Sequence, residues 1–295
     1  WRQYFYTLEV EYMIILVLNS SCYTAMKKLP FSYIFTLFFS IYFSSLHAQI
    51  TSEQAEKIDQ LFAQFDHPNS LGCAVGVIEN GQFIYAKGFG MANLEKGISF
   101  TPDTEFCIGS MTKQFTATCI GLLVQAGKVD LEEDIRTYLP ELSNYDQGIT
   151  VRHLLHHTSG IRDYSGLMGI KGETYKRFTT YQEAADLLQK QKALNFPPNT
   201  QRLYSNSGYA MAQEIVRRVS GQSLQAFAAE QIFEPLKMNH TFYNADFERI
   251  TTDKTVSYVK NREGNIVPCI EQPVGVSNEL IQTSLNELLL WDQNF

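Results

Sequence analysis

Three short patterns with well-understood chemistry are missing from this sequence. Neither H-E-x-x-H nor C-x-x-C occurs, so the strongest metal-binding spacings are absent. No G-x-S-x-G occurs either, which removes the nucleophile elbow of the α/β-hydrolases. Cysteine is scarce, five in 295 residues, too few for a disulfide-built scaffold. Positive charge is in deficit: 24 Lys and Arg against 31 Asp and Glu give a net charge of −7, the wrong sign for a nucleic-acid footprint. Internal repeats, low-complexity tracts and clear linkers are also lacking. What remains is a globular composition, 44% hydrophobic and 19% charged, enough for one large domain or two smaller ones.

The chain opens on Trp1, and residues 1–25 show no clear period. From Met26 the pattern changes. Met26, Lys27 and Lys28 form a positive start, Leu29 to Phe43 an apolar run, and Leu46-His47-Ala48 approximates a small-residue cleavage site. Residues 26–48 therefore read as a secretory signal peptide, with 1–25 as upstream sequence. The alternative is a retained membrane anchor, but the run is short for a span. Cleavage would start the mature protein near Gln49, periplasmic or secreted, with no stable membrane span. Cys73, Cys107, Cys119 and Cys269 would remain. Cys107 and Cys119 sit in apolar surroundings and read as small buried fillers.

Residues 52–66 repeat Ala55, Ile58, Leu61, Phe62 and Phe65 at helical spacing. Residues 72–93 alternate around Asn80-Gly81, the strongest short hairpin signal. A helix is predicted from Ser110 to Ala126, with Gly127 at its stop, and another across 150–161, with Thr150 as N-cap and Gly160 as stop. Residues 180–191, 208–221 and 223–238 (broken at Pro235) read as further helices. Residues 253–270 return to strand-like patterning, and 284–295 is helical. This order predicts an α+β fold: an antiparallel sheet with strands from both ends of the chain, flanked by helices, and a helical lobe inserted between.

The run "FCIGSMTKQF" sets Ser110 three residues before Lys113 at the start of a long apolar helix. A Ser-x-x-Lys match alone is weak, and the sequence holds its own control in Ser257-Tyr258-Val259-Lys260. That second match falls in a strand-like segment, where i and i+3 point to opposite faces. On the helix beginning at Ser110 they share a face, so the amine can reach the hydroxyl. Ser110 would sit in the first helical turn, where N–H groups and the dipole favour developing negative charge. Gly109 leaves room for a substrate. A lysine partly desolvated there is pushed toward its neutral, basic form. The bland reading is a capping serine and a snorkelling lysine. Downstream, "YSNSGY" presents Tyr204 and Asn206 in a polar turn before a helix. The phenol can relay a proton and the amide offers a donor and an acceptor; the bland reading is a surface turn.

Taken together, "FCIGSMTK", "LLHHTSGI", "YSNSGY" and "SLNELLLWDQNF" resemble, in order over about residues 52–295, the serine β-lactamase and penicillin-binding-protein superfamily. The nearest branch is that of class C β-lactamases, D-Ala-D-Ala carboxypeptidases and esterases. The resemblance implies that Ser110 is acylated, that Lys113 and Tyr204 share the proton transfers, and that Asn206 contacts the acyl side of the substrate and steadies Lys113. Which of Lys113 and Tyr204 is the acylation base is left open. It also implies an exported hydrolase needing no cofactor or metal, acting on a D-Ala-D-Ala peptide, a β-lactam or a small ester. Cys107 and Thr112 depart from the stricter class C pattern, which weighs against efficient β-lactam hydrolysis. The family's third motif, Lys-Thr-Gly or His-x-Gly on a strand, is expected beyond residue 295, as is the strand completing the hairpin's sheet. Two rivals stand beside this reading. His153, His156 and His157 have a spacing that can chelate zinc, although no supporting ligand pattern accompanies them. The same cleft could also serve a non-catalytic module that holds peptidoglycan peptides.

Overall fold

The computed structural model describes residues 13–17 and 50–295, apart from 143, 144, 146, 173–179, 244–254, 262 and 269–279. The segment read as a signal peptide lies outside the described residues, as does Cys269. The chain divides into two units, Trp1–Pro102 with Asp292–Phe295, and Asp103–Trp291.

In the first unit, strand β1 (Met13–Val17) runs parallel to β2 (Cys73–Glu79), with Met13 opposite Ala74. Helix α1 (Ser52–Phe62) starts at a capping box: Thr51 Oγ1 accepts the Gln54 N–H, and the Gln54 side chain accepts the Thr51 N–H. The predicted hairpin is present as β2 and β3 (Gln82–Phe89), antiparallel, with Asn80 at φ 52° and Gly81 at φ 72°. Ile58, Phe62 and Phe65 pack on Cys73, Val75 and Phe89, the Phe62 and Phe89 rings stacking at 5.4 Å. Leu61, assigned to the same apolar face, is instead 73% exposed. Short strands β4 (Met91–Asn93) and β5 (Ile98–Ser99) pair with each other. β1, whose Met-Ile-Ile-Leu-Val run is apolar and partly β-branched, pairs along the edge of β2.

The second unit begins with β6 (Phe106–Cys107), a single 3₁₀ turn at Gly109–Met111, and α2 (Thr112–Gln125). Thr112, Phe115, Thr116, Cys119, Ile120 and Leu123 form the buried face of α2, at the spacing of one helical stripe. Phe115 meets Trp291 at 4.4 Å and Phe233 at 5.8 Å, and each such ring taken fully from water is worth about 1.5–3 kcal/mol. Helices α3 (Val151–Leu155), α4 (Tyr164–Ile170), α5 (Tyr181–Gln189), α6 (Asn206–Ser220) and α7 (Leu224–Ala228) follow, and α7 continues into a wider π turn at Ala229–Phe233. β7 (Phe242–Tyr243) and β6 flank β10 (Ile281–Thr283), all antiparallel, before α8 (Leu285–Asp292).

Three expectations need correction. The helix over 150–161 ends at Leu155 rather than at Gly160, because His157 itself turns left-handed at φ 59°. The helix expected at 208–221 starts at Asn206, whose N–H is taken by the Asp163 carboxylate. The strand-like stretch at 253–270 does not join the hairpin: β8 (Tyr258–Lys260) and β9 (Ile266–Pro268) pair only with each other among the described residues. The α+β class itself stands, with helices and small, mainly antiparallel sheets.

Candidate active site

Ser110 lies in the 3₁₀ turn that feeds α2, and Lys113 one turn on. Residues three apart nearly eclipse in such a turn, so both side chains leave the same side. Gly109 makes this approach possible at φ 52°, a left-handed value that a β-carbon would penalise. The turn is pinned to the sheet by three neighbours. Ile108 N–H donates to the Ile281 carbonyl at 3.0 Å, Thr112 Oγ1 accepts the Ile281 N–H at 3.0 Å, and Gln282 pairs with Cys107.

Tyr204 and Asn206 arrive from the start of α6. Gly208 lets α6 press on α3, since a β-carbon there would lie 2.8 Å from the Leu154 carbonyl oxygen. All four residues singled out in the sequence meet. Ser110 Oγ and the Tyr204 hydroxyl share a hydrogen bond of 2.7 Å. Lys113 Nζ donates to Ser110 Oγ at 3.2 Å and to Asn206 Oδ1 at 3.1 Å. The same amine lies 5.0 Å from the Tyr204 ring centre and 5.5 Å from that of Tyr209. Tyr204 is 44% exposed, so the cluster opens to solvent. In the control pair, Ser257 precedes β8 and Lys260 ends it, so the two do not share a helical face.

The surroundings hold this cluster. Tyr209 donates to the Leu155 carbonyl at 3.1 Å, and burial pushes its phenol up to about 12, so it stays protonated. Burial also pushes the Cys107 thiol up, which keeps it from acting as a rival nucleophile. The three histidines have separate tasks rather than a common ligand. His153 closes a capping box with Thr150, His156 is the C-cap of α3, and His157 faces Tyr204. Among the described residues no three His, Cys, Asp or Glu side chains are grouped to hold a metal ion.

Two supporting residues were missed or misjudged in the sequence. Asp163 caps α4 through Oδ1, which accepts the Ser165 and Gly166 N–H groups, and its Oδ2 takes the Asn206 N–H. An Asp before a helix is a readable N-cap signal, but its second partner, 43 residues away, is not. The spacing of His157 from His153 and His156 suggests zinc ligation, and nothing in the sequence marks its contact with Tyr204.

Ser110 with a lysine and a phenol on its hydroxyl, beside an amide, is an arrangement that can serve as a nucleophile with a two-group proton relay. The chain belongs to the beta-lactamase family, whose profile matches residues 58–275. It is 30% identical to a D-aminopeptidase of Gluconobacter oxydans (strain 621H), over 80% of this chain and 44% of that protein. It is 32% identical to penicillin-binding protein 4* of Bacillus subtilis (strain 168), over 62% of this chain and 40% of that protein. The octameric penicillin-binding protein homologue from Pyrococcus abyssi superposes with a TM-score of 0.68 at 29% identity, covering 82% of this chain and 55% of that one. The chain thus spans less than half the length of these two curated relatives.

Proposed function

We propose that the protein is an exported serine hydrolase that cleaves an amide or ester bond through an acyl-enzyme on Ser110. The observation that carries this reading is the Ser110–Lys113–Tyr204–Asn206 hydrogen-bonded cluster. Ser110 Oγ attacks the substrate carbonyl carbon, and its proton passes into the Lys113–Tyr204 pair. The Ser110 N–H, in the first turn, is a donor for the oxyanion. As the C–N or C–O bond breaks, the pair returns a proton to the leaving group. Water then attacks the ester carbonyl, loses its proton by the same route, and frees the acid and Ser110. Asn206 turns Oδ1 to Lys113, which directs its amino group toward the acyl side of a substrate.

Similarity to a D-aminopeptidase and to penicillin-binding proteins supports peptides with D-residues as the substrate class, ahead of β-lactams and small esters. The leader-like pattern at 26–48 supports export with loss of β1 from the mature chain, and N-terminal sequencing of the mature protein, expected to begin near Gln49, tests it. For the chemistry, the full-length protein is incubated with a fluorophosphonate and with a fluorescent penicillin. Covalent labelling of the parent and none of Ser110→Ala is expected. Equal labelling of Ser110→Ala removes Ser110 from the reaction. Reversible binding of a D-Ala-D-Ala peptide without any labelling points instead to a binding module.

A further inference from the structure

His157 is a histidine that the proton relay does not use. It is 7% exposed and sits just past α3 in the left-handed conformation, φ 59°. That conformation costs a non-glycine residue free energy and persists where neighbours enforce it. Here it aims two groups of one residue at the same stretch of chain. The His157 carbonyl accepts the Leu203 N–H at 3.0 Å, and the His157 Nδ1 accepts the Ser205 N–H at 3.2 Å. Between those two anchors lies Tyr204, whose ring sits 4.6 Å from the imidazole, tilted by 35°. The Tyr209 ring also contacts the imidazole, at 5.3 Å and tilted by 41°.

We infer that His157 is a positioning residue for Tyr204, bracketing its backbone on both sides and seating its ring so that the hydroxyl meets Ser110. This rests on the hydrolase reading above, because Tyr204 matters only if Ser110 is acylated. The bracket requires the neutral tautomer with the proton on Nε2, since a proton on Nδ1 would face the Ser205 N–H. Burial, followed by the nearby Lys113 and Arg202, pushes the imidazole down to about 4, so the acceptor is present at neutral pH. The Tyr204 phenol is 2.7 Å from the Ser110 hydroxyl, and a shift of about 1 Å in a reacting group can cost on the order of 100-fold in rate.

The experiment compares acylation rates of Ser110 by a fluorophosphonate in the full-length protein for His157→Asn and His157→Gly, with Ser110→Ala as blank. Both replacements tolerate the left-handed backbone, but only Asn keeps an acceptor near the Nδ1 position. His157→Gly should acylate roughly 10- to 100-fold more slowly, with His157→Asn recovering most of that loss. A purely structural role would lower stability in both without this separation. Long-range ¹H–¹⁵N spectra of the parent protein supply a measurement that needs no variant to fold, and the Nε2–H tautomer is expected at pH 7. An Nδ1–H tautomer, or a folded His157→Gly that acylates at the parent rate, overturns the inference. Labelling of the Ser110→Ala blank would instead discard the hydrolase reading, so the two failures are distinct.

Discussion

Lys113 serves two acceptors at once. Its amine bonds the Ser110 hydroxyl and the Asn206 amide at nearly equal lengths, 3.2 and 3.1 Å, and two phenol rings flank it. Ser110 therefore has two hydrogen-bond partners rather than one, and on the proposed hydrolase reading the loss of either breaks a common relay. Lys113→Ala and Tyr204→Phe are each expected to lower turnover by roughly 100-fold or more in steady-state assays. Because the pair acts as a unit, the double variant should be little worse than the poorer single one; fully multiplicative losses would mean independent roles. His157 gives a second consequence at this scale. The groups facing it are Lys113 of α2, Arg202 ahead of Tyr204, and Asp163 after α3. In the unfolded chain its imidazole binds a proton near 6.5, whereas in the fold it does so only near 4. Between those values the unfolded state holds more protons, so stability rises with pH. The contribution is complete above about 6.5 and is lost as pH falls toward 4, on the order of 2–3 kcal/mol in all. Urea melts between pH 4 and 7 should show this slope, and His157→Asn should flatten it.

At the scale of the element, what was legible followed from capping and from long apolar stripes. Thr150 announced a helix start and closes a capping box, as Thr51 and Thr180 also do ahead of α1 and α5. Asn80-Gly81 announced a hairpin, and both residues carry the positive φ that such a turn needs. Gly127 and Gly221 follow α2 and α6 in left-handed form. The two- and three-residue strands β6, β7 and β10 left no periodic trace, since so few residues cannot alternate visibly; they exist because Ile281 and Gln282 find partners far back in the chain, Thr112 and Cys107 on one side and Tyr243 and Phe242 on the other. The stop of α3 was misplaced because His157 takes a conformation that sequence assigns to glycine. Ser110, Lys113, Tyr204 and Asn206 were legible because two short motifs carry them, whereas His157 and Asp163 act through contacts between distant segments. The α3–α6 crossing makes a direct test. Ala in place of Gly208 gains helix propensity of about 1 kcal/mol, but its β-carbon meets the Leu154 backbone oxygen at 2.8 Å. Net destabilisation of about 1–3 kcal/mol is expected from chemical denaturation, with slower labelling of Ser110 as the start of α6 shifts.

For the molecule as a whole, the four site residues and their supports belong to one unit, Asp103–Trp291. No helix among the described residues is long and apolar enough to cross a membrane. Within that unit, the stretch from His157 to Asp163 grips Ser205 and Asn206 across separations of 48 and 43 residues. The chain between the grips is a closed loop, and closed loops tolerate added length well, each doubling costing only about 0.6 kcal/mol. The short stretch 158–162 has no such latitude, because it fixes how far the grip on Tyr204 lies from the grip on Asn206. Two glycines inserted after the exposed Lys192 should leave Ser110 labelling near the parent rate. One residue inserted between Ser159 and Ile161 should abolish it, by moving the phenol and the amide out of step with each other. Length, rather than composition alone, is thus what this stretch has to preserve, and homologues that vary freely in the span between the grips should keep the count between His157 and Asp163 constant.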